Sequence, residues 1–430
     1  MIMGKVVSLE RNLHPAAIAM PGLSSWASTM RERERIKFAA LGMPNRRMEA
    51  WKYSDLAQSL RETRTGEWGT TAPAPAPGAF IAAFVDGQFD PVRSILPKSA
   101  IVGLPAVYAD GHSPYADILS ATNADDNHPV ISMNLAGAED GFVLHLRAGE
   151  VLQSPLHIHF EWSEGSAPAP EGQHLRLLLQ LDAGAEATIV ETHSGAPGLA
   201  TIVTECRLAD NARLTHFRFD HLAAPARQTA VTTGTLGENA FYKGFYLSRG
   251  AHFCRHDALL DLVGKGAAVE IDGAFLLADG RHCDNTTVIT HTAANTTSHQ
   301  AFRGVLGDKA EGVYQGCVRV RPDAQKTDAR QMSRTLLLAP TARISTKPEL
   351  EIFADDVKCG HGATAGELDA NALFYLRARG IAEAEARALL IAAFIAETTA
   401  TIADPALRAT AEKIVADWLD RHAREVVHAQ

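Results

Sequence analysis

The chain has 430 residues and a formal net charge of −9; hydrophobic residues make up 46% of it and charged residues 21%. Such a length exceeds one ordinary core and implies roughly two or three domains, and the composition is that of a globular chain rather than a disordered one. Lys and Arg are scattered rather than clustered, which argues against a nucleic-acid surface.

No membrane span is expected, because the longest apolar run, Ala388 to Ala396, is too short to cross a bilayer. The opening stretch, MIMGKVVSLERNLHPAAIAMPG, has neither a secretory apolar core nor the Arg and Ser bias of a transit peptide. Cys206, Cys254, Cys283, Cys317 and Cys359 are odd in number and widely spread, which argues against a disulfide framework. A cytoplasmic location is the resulting expectation.

In chain order, Ser24 or Ser25 caps a helix to about Leu41, carrying Trp26, Met30, Ile36 and Phe38, with Gly42 and Pro44 as its stop. Its RERERIK middle reads as a charged, exposed face. Trp51-Lys52-Tyr53 reads either as a docking element or as plain aromatic core. TTAPAPAPG, from Thr70 to Gly78, is a stiff Pro/Ala linker. After it, FIAAFVDG and IVGLPAVYAD read as short strands. These features divide the first part of the chain into a helical N-terminal region, 1–69, and a linker with short strands, 70–140.

From Gly141 to Gly366 the texture is one of short apolar strands between Gly, Asn and Asp turns. Turn-then-strand units start at Ala183, Asp210, Glu238 and Gly264, a loose period of roughly 27 residues that points to a parallel β-helix or similar solenoid. SEGSAPAPEG, from Ser163, is an exposed excursion. The fold class is therefore mainly β, a solenoid-like core with helical N-terminal and C-terminal regions. In 367–430, Asp369 caps a helix stopped by Gly380; a second runs from Ile381 to Ile402, and Asp404-Pro405 starts a third. These helices are expected to cap the last coil against edge-to-edge association.

The stretch from Lys347 to Asp369, KPELEIFADDVKCGHGATAGELD, is where chemistry is expected. Leu350, Ile352 and Phe353 are strand formers, and residues two apart in a strand share a side, so Cys359 and His361 face one way across Gly360. A thiolate with an imidazole suits zinc, iron or an iron–sulfur cluster, with Asp355 and Asp356 near in sequence; the alternative is a packed thiol and a structural histidine. His157 and His159 also share a strand face but lack a nearby third ligand. Cys254 and Cys283 lie about one coil apart and can stack in adjacent rungs with His252, His256 and His282, as soft ligands, as a sulfur-carrying path, or as independent rung residues. No nucleotide-binding loop, nucleophile elbow or zinc-protease helix occurs.

The same stretch, continued by LFYLRARGI at Leu373 to Ile381, resembles the C-terminal signature of SufD-type subunits in the SufB/SufD family, the scaffold of SUF iron–sulfur cluster assembly. GMPNRRMEAWKYSDL, Gly42 to Leu56, resembles that family's N-terminal motif. The resemblance implies a non-catalytic scaffold subunit working with a SufB-like subunit, a SufC-type ABC ATPase bound through the C-terminal helices, and a cysteine desulfurase system that delivers sulfur, with a homodimer as the form of the chain alone. It implies His361 as the functional histidine, Cys359 as a companion, and a transient iron or nascent cluster at a subunit interface, none being stably bound by the isolated chain. KTDARQMSRTLLLAPTARI, Lys326 to Ile344, lacks the cysteine of SufB-type chains, which implies that this subunit does not build a cluster unaided. Two other classes compete: a solenoid enzyme acting on carbohydrate or acyl groups, which would show an export signal or strict six-residue repeats, and a metal-free interaction protein.

Overall fold

The computed structural model describes residues 20, 22–62, 78–97, 100–120, 127–163 and 172–422. The opening stretch, the Pro/Ala linker and the Ser163 excursion fall largely outside these residues. Two sheets of ten and nine strands form opposite walls of a parallel β-solenoid, as the sequence predicts. One wall runs through Glu186–Gly195, Arg213–Leu222, Phe241–Ser248, Ala268–Leu277, Thr297–Leu306 and Asp328–Leu337 to Lys358–Gly366; the other runs through Gln173–Leu181, Ala200–Leu208, Arg227–Leu236, Phe253–Leu262, His282–His291 and Glu311–Val320 to Arg343–Ile352. Consecutive coils pair in register, and side chains touch across them at sequence separations of 27, 28 and 29 residues. The periodic units in the sequence mark the first wall, while the second wall occupies what looks like spacer. Both walls alternate in the same way, so periodicity alone does not tell them apart.

Six successive coils turn from the second wall to the first through a residue with positive φ: Gly184, Asn211, Asn239, Gly266, Asn295 and Lys326. Gly and Asn tolerate this left-handed backbone best, which explains their recurrence. The N–H of each such residue donates to a carbonyl of the next coil, as from Asn211 to Glu238, Asn239 to Lys265 and Asn295 to Gln325. The next residue is buried and small, being Ala185, Ala212, Ala240 and Ala267 in successive coils, so the chain can fold tightly inward.

Inside the walls lies the main apolar core, including Leu177, Ile189, Leu214, Leu260, Ile271 and Phe275. Outside, the helices cover both walls. Glu383–Thr399 and Pro405–His422 lay Ile391, Ile395, Ile414 and Trp418 on Val190, Phe217, Phe219 and Phe245 of the first wall. On the second wall, Phe38, Trp51 and Leu56 pack with Val203, Val231 and Phe253.

Several expectations are corrected. The two long C-terminal helices lie beside the solenoid and not across its end, because the apolar surface they need is on the outer face of the first wall. Phe80–Val85 pairs in parallel with Leu156–Glu161, so the first wall begins upstream of Gly141. IVGLPAVYAD splits into a strand, Ile101–Gly103, and a helix, Leu104–Ala109, with Pro in its first turn. The Ser25–Leu41 helix is only partly exposed along RERERIK, at Glu32, Arg33 and Ile36. Arg31 and Glu34 are buried where it meets the Pro129–Gly137 helix; Arg31 donates to the Ala138 carbonyl and Glu34 accepts from the Ser132 hydroxyl. Charged side chains can be buried there because each finds a partner.

Replacing Ile271, fully buried between the walls, by Ala is expected to destabilise the chain by about 2–5 kcal/mol. Urea unfolding of the two proteins checks this.

Candidate functional site

Lys358–Gly366 pairs with Asp328–Leu337 on one edge and ends its sheet on the other, as Arg343–Ile352 ends the second sheet. Among the described residues the solenoid therefore finishes on two strand edges with no further strand. Cys359 stands beside Ala329 and His361 beside Gln331. Their spacing predicts a shared side, and the register with Ala329 and Gln331 makes that side the inward-facing one. They do not continue the strand of Leu350 and Ile352. The chain turns a corner over 353–357, so Leu350 and Ile352 belong to one wall and Cys359 and His361 to the other.

Cys359 is half-buried against a small cluster containing Val318, Val320, Ala329 and Ala354, while His361 is exposed. Burial chiefly, helped by the Asp328 carboxylate and opposed by a hydrogen bond with the Ala329 backbone, pushes the Cys359 thiol above its ordinary range, so the thiol holds its proton. Asp355 and Asp356 lie exposed in the corner, where the backbone N–H of Asp356 donates to Gln325 Oε1 at 2.9 Å. Among the described residues no group of three or more His, Cys, Asp or Glu side chains is arranged to hold a metal ion. At the mouth, the chain thus offers a soft pair on an open edge.

The other sequence candidates separate. His157 and His159 do share a face, with ring centroids 6.2 Å apart, but it is the outer face of the first wall. Thr192 meets His159 Nδ1 at 2.7 Å, and Asp404, at the start of the last helix, acts on His157. Cys254 and Cys283 point inward on adjacent in-register strands, and their contact is the largest influence raising the Cys254 thiol, with burial next. The histidines named with them diverge. His256 faces inward and meets Thr232 at 3.0 Å, His282 meets Ser54 at 3.0 Å on the outside, and His252 pairs with Glu62. Strand alternation sends His282, next to Cys283, to the opposite side, while His252 precedes its strand and escapes the alternation.

A buried charged cluster inside the solenoid escapes the sequence reading. Glu191 lies 3.1 Å from His216, 3.2 Å from His193 and 3.4 Å from Arg218, which in turn meets Asp220 at 2.9 Å. Burial opposes ionisation of Glu191, but His216 and His193 outweigh it and hold the carboxyl well below its ordinary range. The signal was present as polar residues at alternate positions in ETHSG and THFRFDH, yet alternation alone reads as an exposed face. Which face is inside depends on the other wall.

The family profile described as SUF system FeS cluster assembly, SufBD core domain, matches residues 163–394. An iron–sulfur cluster assembly SufBD family protein of Synechocystis is 30% identical over 381 residues, covering 83% of each chain. The iron–sulfur cluster assembly protein SufD of Escherichia coli is 29% identical over 381 residues, 85% of this chain and 87% of its own. SufD of Bacillus subtilis is 26% identical over 293 residues, 63% of this chain and 62% of its own.

Buried histidines on the first wall make the chain acid-sensitive. Burial first, then His159, lowers His157 to about 4, against the pull of Asp404; burial first, then Arg249, lowers His221 to about 4. In the unfolded chain each titrates near the ordinary value of about 6.5. The unfolded chain therefore binds protons that the folded one refuses, and the stability present above pH ~6.5 is lost as pH falls toward ~4, by up to ~1.4 kcal/mol per pH unit for each histidine. The His157→Gln, His221→Gln double variant is expected to show a shallower fall in urea midpoint between pH ~7 and ~4. Equal slopes would reject this account.

Proposed function

The chain belongs to the SufBD family of SUF-system iron–sulfur cluster assembly proteins, and from that premise we propose how its last rung takes part. It is a scaffold subunit of cluster assembly. On our reading His361, with Cys359 beside it, contacts iron or a nascent cluster at an interface with a SufB-like subunit. The supporting observation is the placing of this pair on a terminal strand whose outer edge pairs with no strand among the described residues. An unprotonated imidazole is a good borderline ligand for ferrous iron, and a thiol can add a soft donor once metal binding releases its proton. Ligands presented on an edge need completion from elsewhere, and such a site can also release its cargo.

The role is non-catalytic, iron and sulfide being cargo, with sulfur supplied by a cysteine desulfurase system. Alone, the chain forms a homodimer. No helix among the described residues is long and apolar enough to cross a membrane, and we place the protein in the cytoplasm. A SufC-type ABC ATPase docks on the C-terminal helices. Within them the Ala370–Ala378 helix, capped by Asp369, buries none of its residues, and it presents Phe374 at 74% and Tyr375 at 55% exposure. Aromatic side chains held in the open on a rigid helix are the kind of anchor that interfaces use.

After anaerobic co-expression with the SufB-like and ATPase partners, His361→Ala is expected to leave the complex assembled while lowering its iron and cluster content; His157→Ala should change neither. Unaltered iron with His361→Ala would favour the metal-free interaction protein. Phe374→Asp should weaken capture of the ATPase roughly tenfold or more with no change in thermal midpoint, and undiminished capture would remove this helix from the docking surface.

A further inference from the structure

The N-terminal motif, read from sequence as either a docking element or plain core, has a more specific place. Its segment from Glu49 to Glu62 crosses the outer face of the second wall and touches successive strands in order. At the far end, Arg227 donates from Nε to the Ser59 carbonyl at 2.8 Å and from Nη2 to the Glu62 carbonyl at 2.5 Å. On the next strand Trp51 stacks on Phe253 and lies under the Arg255 guanidinium, 3.9 Å from its ring centroid. One strand further, the Ser54 hydroxyl donates to Asp284 Oδ2 at 2.5 Å and meets His282 at 3.0 Å. Then Gln315 Nε2 donates to the Ala50 carbonyl at 3.3 Å, and Glu49 pairs with Lys347 of the terminal strand at 2.7 Å.

These contacts fall on aligned columns of the sheet: Arg255 is beside Asp284, and Gln315 stands between Thr286 and Lys347. The centre of the crossing is the strong part. Arg255 and Asp284 are fully buried and joined at 2.7 Å, Asp257 takes the other side of the guanidinium, and Trp51 seals them from water. A buried ion pair is strongly destabilised when one partner or its cover is removed. The Glu49–Lys347 pair at the edge is exposed and fixes position more than it adds stability.

We propose that this segment is a brace that sets the position of the terminal coil, with Trp51 and Ser54 as positioning residues for the rung that carries Cys359 and His361. In a solenoid each coil touches only its neighbours, so the last one has half the contacts of the others and is the first to fray. The brace ties it to coils deeper in the stack. Its consequence for iron rests on the function proposed above; its mechanical claim does not.

Hydrogen exchange of the full chain, followed by mass spectrometry, tests it. Trp51→Ala and the milder Ser54→Ala are expected to speed exchange in 343–352 and 358–366 by roughly three- to tenfold while 200–208 and 213–222 keep their rates; Ser54→Thr, which retains the hydroxyl, should restore them. Acceleration confined to 22–62 would overturn the brace, as would a uniform rise across all coils in Ser54→Ala. In the co-expressed complex, Ser54→Ala should also lower iron content. If His361→Ala lowers iron and Ser54→Ala does not, the positioning role fails and the site reading survives; if His361→Ala leaves iron unchanged, the site reading fails and exchange alone judges the brace.

Discussion

In-register parallel pairing of one coil on the next is the constraint to which every other feature answers. It requires each coil to leave one wall and enter the other at the same height, which is why a left-handed residue recurs at the same corner and a small buried residue follows it. It also repeats side chains in columns, so a polar residue in one coil needs a polar or hydrogen-bonding neighbour in the next. Glu191 satisfies this with His216 and Arg218 of the following coil, and Asp284 with Arg255 of the preceding one.

Stacking also creates ends, and the two ends differ. At the first, Gln88–Phe89 and Ile101–Gly103 add antiparallel strands that finish the sheets. At the last, the walls finish on Arg343–Ile352 and Lys358–Gly366 with no further strand among the described residues. A row of unpaired backbone groups invites association, so an open edge in a scaffold protein is a natural surface for a partner. The two long C-terminal helices, Glu383–Thr399 and Pro405–His422, and the N-terminal segment around Trp51 do not close it, since their apolar faces are already committed to the sides of the walls. Cys359 and His361 owe their availability to this division of labour. The same residues one coil earlier would be covered, as Gln331 is.

Burial sorts the titratable groups by place rather than by type. Inside the stack, Cys206 and Cys254 are raised above the ordinary thiol range and so hold their protons. Cys359 shows the same direction at a half-buried edge, where a cation can reach it. Burial is the leading cause that lowers His193 and His256, the latter to about 3. Polar character inside the solenoid is therefore compatible with a rigid core, because most of these groups are locked by specific partners.

Much of the architecture was determined by the sequence alone. The coil period, the helix caps at Asp369 and Asp404, and the shared side of Cys359 and His361 all rest on short-range rules: strand alternation, capping hydrogen bonds and the tolerance of Gly and Asn for left-handed backbone. The motif around Trp51 was visible as a motif, but its partners on successive strands were not. Tertiary structure decided which of two similar faces is inside, that Cys254 meets Cys283 while His252 and His282 turn elsewhere, that the C-terminal helices lie along the wall, and that the coil of His361 is the last. Each of these depends on pairing between residues far apart in the chain, where register is chosen by the fit of whole walls and by which apolar surfaces remain to be covered; no local pattern carries that information.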